Sequence, residues 1–69
     1  MTSDEYVARF WQYKAKDREP FETLDEAVAF LAVGWERGRL SEIDILGPDG
    51  SVVLSGEALH ARMMSALGA

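Results

Sequence analysis

Cysteine is absent from the chain, which excludes disulfides and any metal site built on thiolates. Histidine is nearly absent: His60 stands alone, so one chain cannot assemble a histidine-rich metal centre. Basic residues are scarce, 7 against 12 acidic ones, for a net charge of −5. That balance argues against general nucleic-acid binding, which needs lysine and arginine against phosphate, and against an anionic membrane surface. No apolar run approaches the roughly 18 residues of a membrane-spanning helix. The opening MTSDEYVARF has acids where a secretory leader wants bases, and no apolar run follows; the expected location is cytoplasmic. No linker, repeat or low-complexity tract divides the chain, so residues 1–69 are expected to form a single domain.

What is present suffices for a fold. Hydrophobic residues make up 48% of the 69 positions, which places the chain outside the disordered class. A domain this short buries only roughly 60% of the surface that its unfolded form exposes. Its core is therefore expected to supply about 3–5 kcal/mol, and small domains usually need a further staple. With disulfides and metal set aside, self-association is the staple that remains.

Two local signals are strong. In TLDEAVAFLAVGWERGRL, Thr23 and Glu26 have the spacing of a capping box. Asp25 and Glu26 suit the positive end of a helix dipole and Arg37 the negative end, and Gly38 stands where a left-handed cap belongs. The pattern predicts a helix over 24–37 with Leu24, Val28, Leu31 and Trp35 on one stripe, flanked by Ala27 and Ala32. In EIDILGPDGSVVLS, Ile43 and Ile45 alternate with Glu42 and Asp44, and Val52 and Leu54 alternate with Ser51 and Ser55. GPDG between them supplies a fixed φ, a self-capping Asp and a glycine for positive φ. This predicts a β-hairpin with strands over 42–46 and 51–55. The last segment predicts a short helix, capped by Ser55 or Gly56, with Leu59, Met63 and Leu67 buried.

The segment Tyr6–Tyr13, YVARFWQY, holds four of the chain's seven aromatic residues. As a helix it would start from Ser3, with Asp4 and Glu5 in the first turn, and gather its rings on one side. As a strand it has the right β-branched and aromatic content, with Tyr6, Ala8, Phe10 and Gln12 on one face and Val7, Arg9, Trp11 and Tyr13 on the other. The strand is preferred, because a two-stranded hairpin alone is marginal and the first helix needs a sheet to pack on. KAKDREP is then expected to turn the chain into Pro20 and Phe21, a short extra edge. The fold class is α+β, a small single domain of order β-α-β-β-α, with a three-stranded sheet and helices on one face. In outline this is similar to small bacterial proteins of strand–helix–hairpin type, a similarity that implies no activity.

The rings set the candidate sites. With Tyr6 and Phe10 under the helices, Val7, Trp11 and Tyr13 stand on the opposite face, and exposed apolar patches of that kind mark interfaces. The competing arrangement covers this face with the last helix or a loop. A stacking platform for single-stranded nucleic acid is a third, with Arg9, Lys14, Lys16 and Arg18 in its favour and Asp4, Glu5, Asp17 and Glu19 against it. Phe30 and Val33 fall about 100° or more from the main helix stripe, a second candidate contact unless the last helix covers them. Glu57 and His60 share a helical face, but carboxylate-bridged metal sites need that pair twice, so no metal or cofactor is assigned. GPDG opens no helix and cradles no phosphate. Gly34 is expected either to permit close packing or to weaken its helix.

No thiol, no base at readable spacing from a serine and little room for a concave pocket point away from catalysis. The expectation is a non-enzymatic protein–protein interaction module, regulatory or accessory, that binds itself as a homodimer or binds another protein. The alternatives are a small oligomeric enzyme or ligand-binding protein with its site between chains, and an acidic inhibitor that mimics nucleic acid.

Overall fold

The computed structural model describes residues 5–68; Ser3 and Asp4, the helix start weighed above, lie outside them. The element order is β1 (Tyr6–Gln12), β2 (Ala15–Phe21), α1 (Leu24–Glu36), β3 (Ser41–Leu46), β4 (Val52–Ser55) and α2 (Gly56–Gly68). Four strands form one antiparallel sheet in the order β2-β1-β3-β4. The fold is α+β, and the three-stranded expectation is corrected: all of KAKDREP but Lys14 belongs to a full edge strand, Ala15–Phe21, rather than to a turn. The chain reverses instead at Tyr13 and Lys14, with φ of 52° and 69°, between the paired residues Gln12 and Ala15. Positive φ at both central residues is the mark of a type I′ hairpin turn, normally written Asn-Gly. Charged residues and Pro20 along β2 blunt an edge that would otherwise invite pairing.

Helix α1 starts as its capping box predicts. The Thr23 Oγ1 accepts from the Glu26 N–H at 3.1 Å, and the Glu26 Oε1 accepts from the Thr23 N–H at 3.2 Å. At its other end Arg37 is the cap and Gly38 takes φ 73°. The Gly38 N–H then donates to the Trp35 carbonyl at 3.0 Å, and the Arg39 N–H to that of Gly34 at 2.9 Å, the paired bonds of a Schellman ending. The hairpin β3–β4 turns at GPDG: Asp49 Oδ1 accepts from the Ser51 N–H at 3.0 Å and its hydroxyl at 2.7 Å.

Ala8 and Phe10 on β1 and Ile45 on β3 are buried together with Ala27, Val28, Leu31 and Ala32 of α1 and Leu59 and Met63 of α2. Ala8 pairs directly with Ile45, so these strand residues share one face, and both helices lie on it. The molecule is correspondingly thin, with extents of 35, 29 and 17 Å. Phe30 belongs to this layer, its ring 5.3 Å from Phe10 and 5.1 Å from Phe21.

Ile43, Val52 and Trp35, which the alternation and the helix stripe group with core residues, are not core. The register of β1 against β3 shifts between Arg9 and Phe10, with Glu42 opposite Phe10 and Asp44 opposite Arg9. Ile43 is the extra residue, and the bulge releases it from the Ile45 face. A second shift on β4 leaves Val52 opposite Leu46, 50% exposed. Trp35 is 39% exposed, and its ring packs nearly perpendicular to that of His60, centroids 5.3 Å apart. Leu40, from the α1–β3 connection, is buried instead. Among the described residues no helix is long and apolar enough to cross a membrane.

Candidate interaction surface

Strand pairing decides which side chains occupy the sheet face that carries no helix. Val7 pairs with Pro20 and Leu46, Arg9 with Arg18 and Asp44, and Trp11 with Lys16 and Ser41. These residues therefore stand on one face, opposite Ala8 and Phe10. Ile43 joins them, lining with Arg9, Lys16, Asp17 and Arg18 a depression of ≈300 Å³. The face has two halves. Toward β2 it carries Lys16, Arg18 and Arg9 around Trp11, and the Lys16 ammonium lies 5.4 Å from the centre of the Trp11 ring. Toward β4 it carries Ile43, Leu46 and Val52.

The charge pattern has a local origin. Along Lys16-Asp17-Arg18-Glu19 the sign alternates with period two, and a strand sends alternate residues to opposite faces. The register sends the bases to the uncovered face and Asp17 and Glu19, paired with Phe10 and Ala8, to the other, although Asp17, on the edge strand, still borders the depression. The single strand carboxylate on the uncovered face is Asp44, bound in a fork by Arg9: Nε donates to Oδ1 at 2.7 Å, and Nη2 donates to Oδ2. Hydrogen bonding to Asp44, and then its charge, holds the Arg9 guanidinium above its ordinary pKa.

At the β1–β2 turn the surface continues into a second depression, lined by Trp11, Tyr13, Lys14, Trp35, Arg39 and Leu40 among others. Among the described residues no carboxylate lines it. Among the described residues neither Lys14 nor Arg39 has an ion-pair partner. Tyr13, expected on the strand face, is in the turn and is 84% exposed.

The five sequence-derived partner residues thus divide. Val7 and Trp11 share the uncovered face, and Tyr13 adjoins Trp11 at the turn. Phe30 and Val33 lie on the helix side, bordering a third depression with Gln12, Arg37 and Leu40; Phe30 is half-buried there and Val33 is 43% exposed. Reasoning from sequence missed Ile43 and Val52 on the uncovered face, since their places depend on two register shifts, and Leu46, which plain alternation with Ile45 puts there. It also missed the sign alternation along β2, a signal that was there to be read.

His60 Nδ1 lies 3.3 Å from Glu42 Oε2, joining α2 to β3. Among the described residues no group of three or more His, Asp or Glu side chains is placed to hold a metal ion. The chain matches no family model, no curated protein and no solved structure.

Proposed function

We propose that the chain is a non-enzymatic interaction module that binds another protein through the uncovered face of its sheet. The observation that carries this is the layering: both helices lie on one side, leaving Trp11, Ile43, Leu46 and Val52 without a second layer. Apolar surface of this kind marks contact sites, and Trp and Arg are the residues that most often dominate binding energy. A cytoplasmic setting fits a chain without cysteine. Self-association through the same face is the second reading, favoured by that apolar area and by the smallness of the core.

The test is capture from the native host with the wild-type chain and with a variant carrying Trp11→Asp and Leu46→Asp. Both changes are on the uncovered face and leave the core intact. A protein held by the wild type and lost by the variant is the expected result. The same set of proteins on both baits, or none on either, would overturn the proposal. Sedimentation over a range of concentrations reads the second reading directly, as a dimer that the variant fails to form.

A further inference from the structure

We infer that the occupant of the uncovered face is an acidic amphipathic helix of a partner protein; this rests on the interaction reading above and adds the partner's chemistry. The chain as a whole is acidic, with a net charge of −5, yet this face inverts that sign. Strand pairing gathers Arg9, Lys16 and Arg18 on it, and its one strand carboxylate, Asp44, is already engaged by Arg9. At physiological salt the screening length is about 8 Å, so a partner in contact feels these cations more than the acids of α1 and α2 on the far side of the sheet. The layout matches one helix. From β2 to β4 is three strand spacings, about 14 Å, and a helix with side chains is about 10–12 Å across. An acidic flank over Lys16 and Arg18 sets an apolar flank over Ile43, Leu46 and Val52.

Two other occupants fit less well. A second copy apposed face to face brings to the contact, among the described strand residues, only Asp44 and the edge carboxylate Asp17 against three cations, so the positive charge on both copies stays largely unanswered. Single-stranded nucleic acid needs rings on which bases stack. Half of this face is aliphatic, and one side of the Trp11 ring is occupied by the Lys16 ammonium.

The experiment is a titration of the full ¹⁵N-labelled chain with three probes. Two are synthetic helices of about 18 residues, five turns, with the same leucine face, one flanked by glutamate and one by lysine. The third is oligothymidylate. The glutamate helix should shift the amides of Trp11, Lys16, Arg18, Ile43 and Leu46, and weaken as salt rises. Lys16→Glu with Arg18→Glu should reduce its affinity at least about tenfold, since each reversal sets like charges together. Arg62→Glu, a cation on α2, should leave it unchanged. Equal binding of the glutamate and lysine helices would overturn the acidic partner and leave the interaction reading standing. Tighter binding of oligothymidylate would make nucleic acid the ligand. A dimer with the face amides broadened, and no response to either helix, would make a second copy the occupant. No response to any probe, with no captured protein that depends on Trp11 and Leu46, would remove both conclusions.

Discussion

Arg9 and Asp44 grip each other across β1 and β3, yet they are unequally exposed: the Arg9 side chain is 42% accessible and that of Asp44 only 9%. Losing one partner is therefore not equivalent to losing the other. Asp44→Ala frees a guanidinium that swings into water. Arg9→Ala strands a nearly buried carboxylate, and the cost of an unpartnered polar group scales with its burial. Arg9→Ala should lower the urea midpoint more than Asp44→Ala does. Equal losses would show that Asp44 reaches water in solution.

Gly34 is a packing residue. A Cβ built there would lie 2.4 Å from Leu40 Cδ2 and 2.7 Å from Leu40 Cγ, and Leu40 is itself buried. Alanine has about 1 kcal/mol better helix propensity than glycine, but overpacking of this kind costs about 1–3 kcal/mol. Gly34→Ala should therefore destabilise. Its effect should reverse to a gain in the background of Leu40→Ala, where the space is empty. Equilibrium unfolding of the four proteins in the cycle measures this.

Leu31 and Ile43 separate the two faces. Leu31 is fully buried between α1 and the sheet, and Leu31→Ala should cost about 2–5 kcal/mol, enough to unfold much of so small a domain. Ile43→Ala, on the other face, should cost less than half as much and leave the helical circular dichroism intact. Comparable losses would place Ile43 in the core after all.

Asp49 is a pH probe for the β3–β4 turn. The Ser51 hydroxyl and then the Ser51 N–H hold its carboxyl below the ordinary value of 3.8. A depressed carboxylate stabilises above its unfolded pKa, and the contribution fades as pH falls through the folded one. The turn should therefore loosen only in acid below that ordinary value. Ser51→Ala removes the larger cause, so the Asp49 titration seen by NMR should move up toward normal. An unchanged midpoint would show that the hydroxyl bond is absent in solution.

The parts legible from sequence were those whose signals are local. Thr23, Glu26 and Gly38 bound α1 through contacts within a turn or two, and GPDG sets its hairpin through Asp49 and Ser51. Strand β1 was placed by its composition and by the need for a sheet under α1. The expectation for β2 failed because six of its seven residues are exposed, so it has no apolar period, and because Tyr13-Lys14 carries no turn signature. The buried stripe was right for Val28 and Leu31 and failed at Trp35, in the last turn, which is 39% exposed. Ile43 and Val52 were misplaced because a register shift is set by how strands meet, which one strand's alternation does not encode. The candidate site was legible at Val7 and Trp11 for the same local reason as β1. Of its aliphatic half, Ile43 and Val52 were hidden behind the two shifts, while Leu46 was readable from its alternation with Ile45.

The pairing of β1 with β3 has a kinetic consequence. Hairpins close in about 1–10 μs and helices of this size faster still, so β1–β2, α1 and β3–β4 each form early as local units. The central ladder joins residues 35 positions apart, as Arg9 and Asp44 are, and closing that separation costs entropy before its contacts return it. This seam is expected to set the folding rate. Substitutions at Ala8 and Ile45, which pair across it, should slow refolding in stopped-flow experiments, and so should changes in the Asp49 turn, whose hairpin is formed before the seam closes. A chain whose sheet is stitched last through its middle passes through a stage with two loose hairpins, and at that stage the Val52–Val53 edge of β4, which bears no charge to guard it, is most open to pairing with a neighbouring molecule.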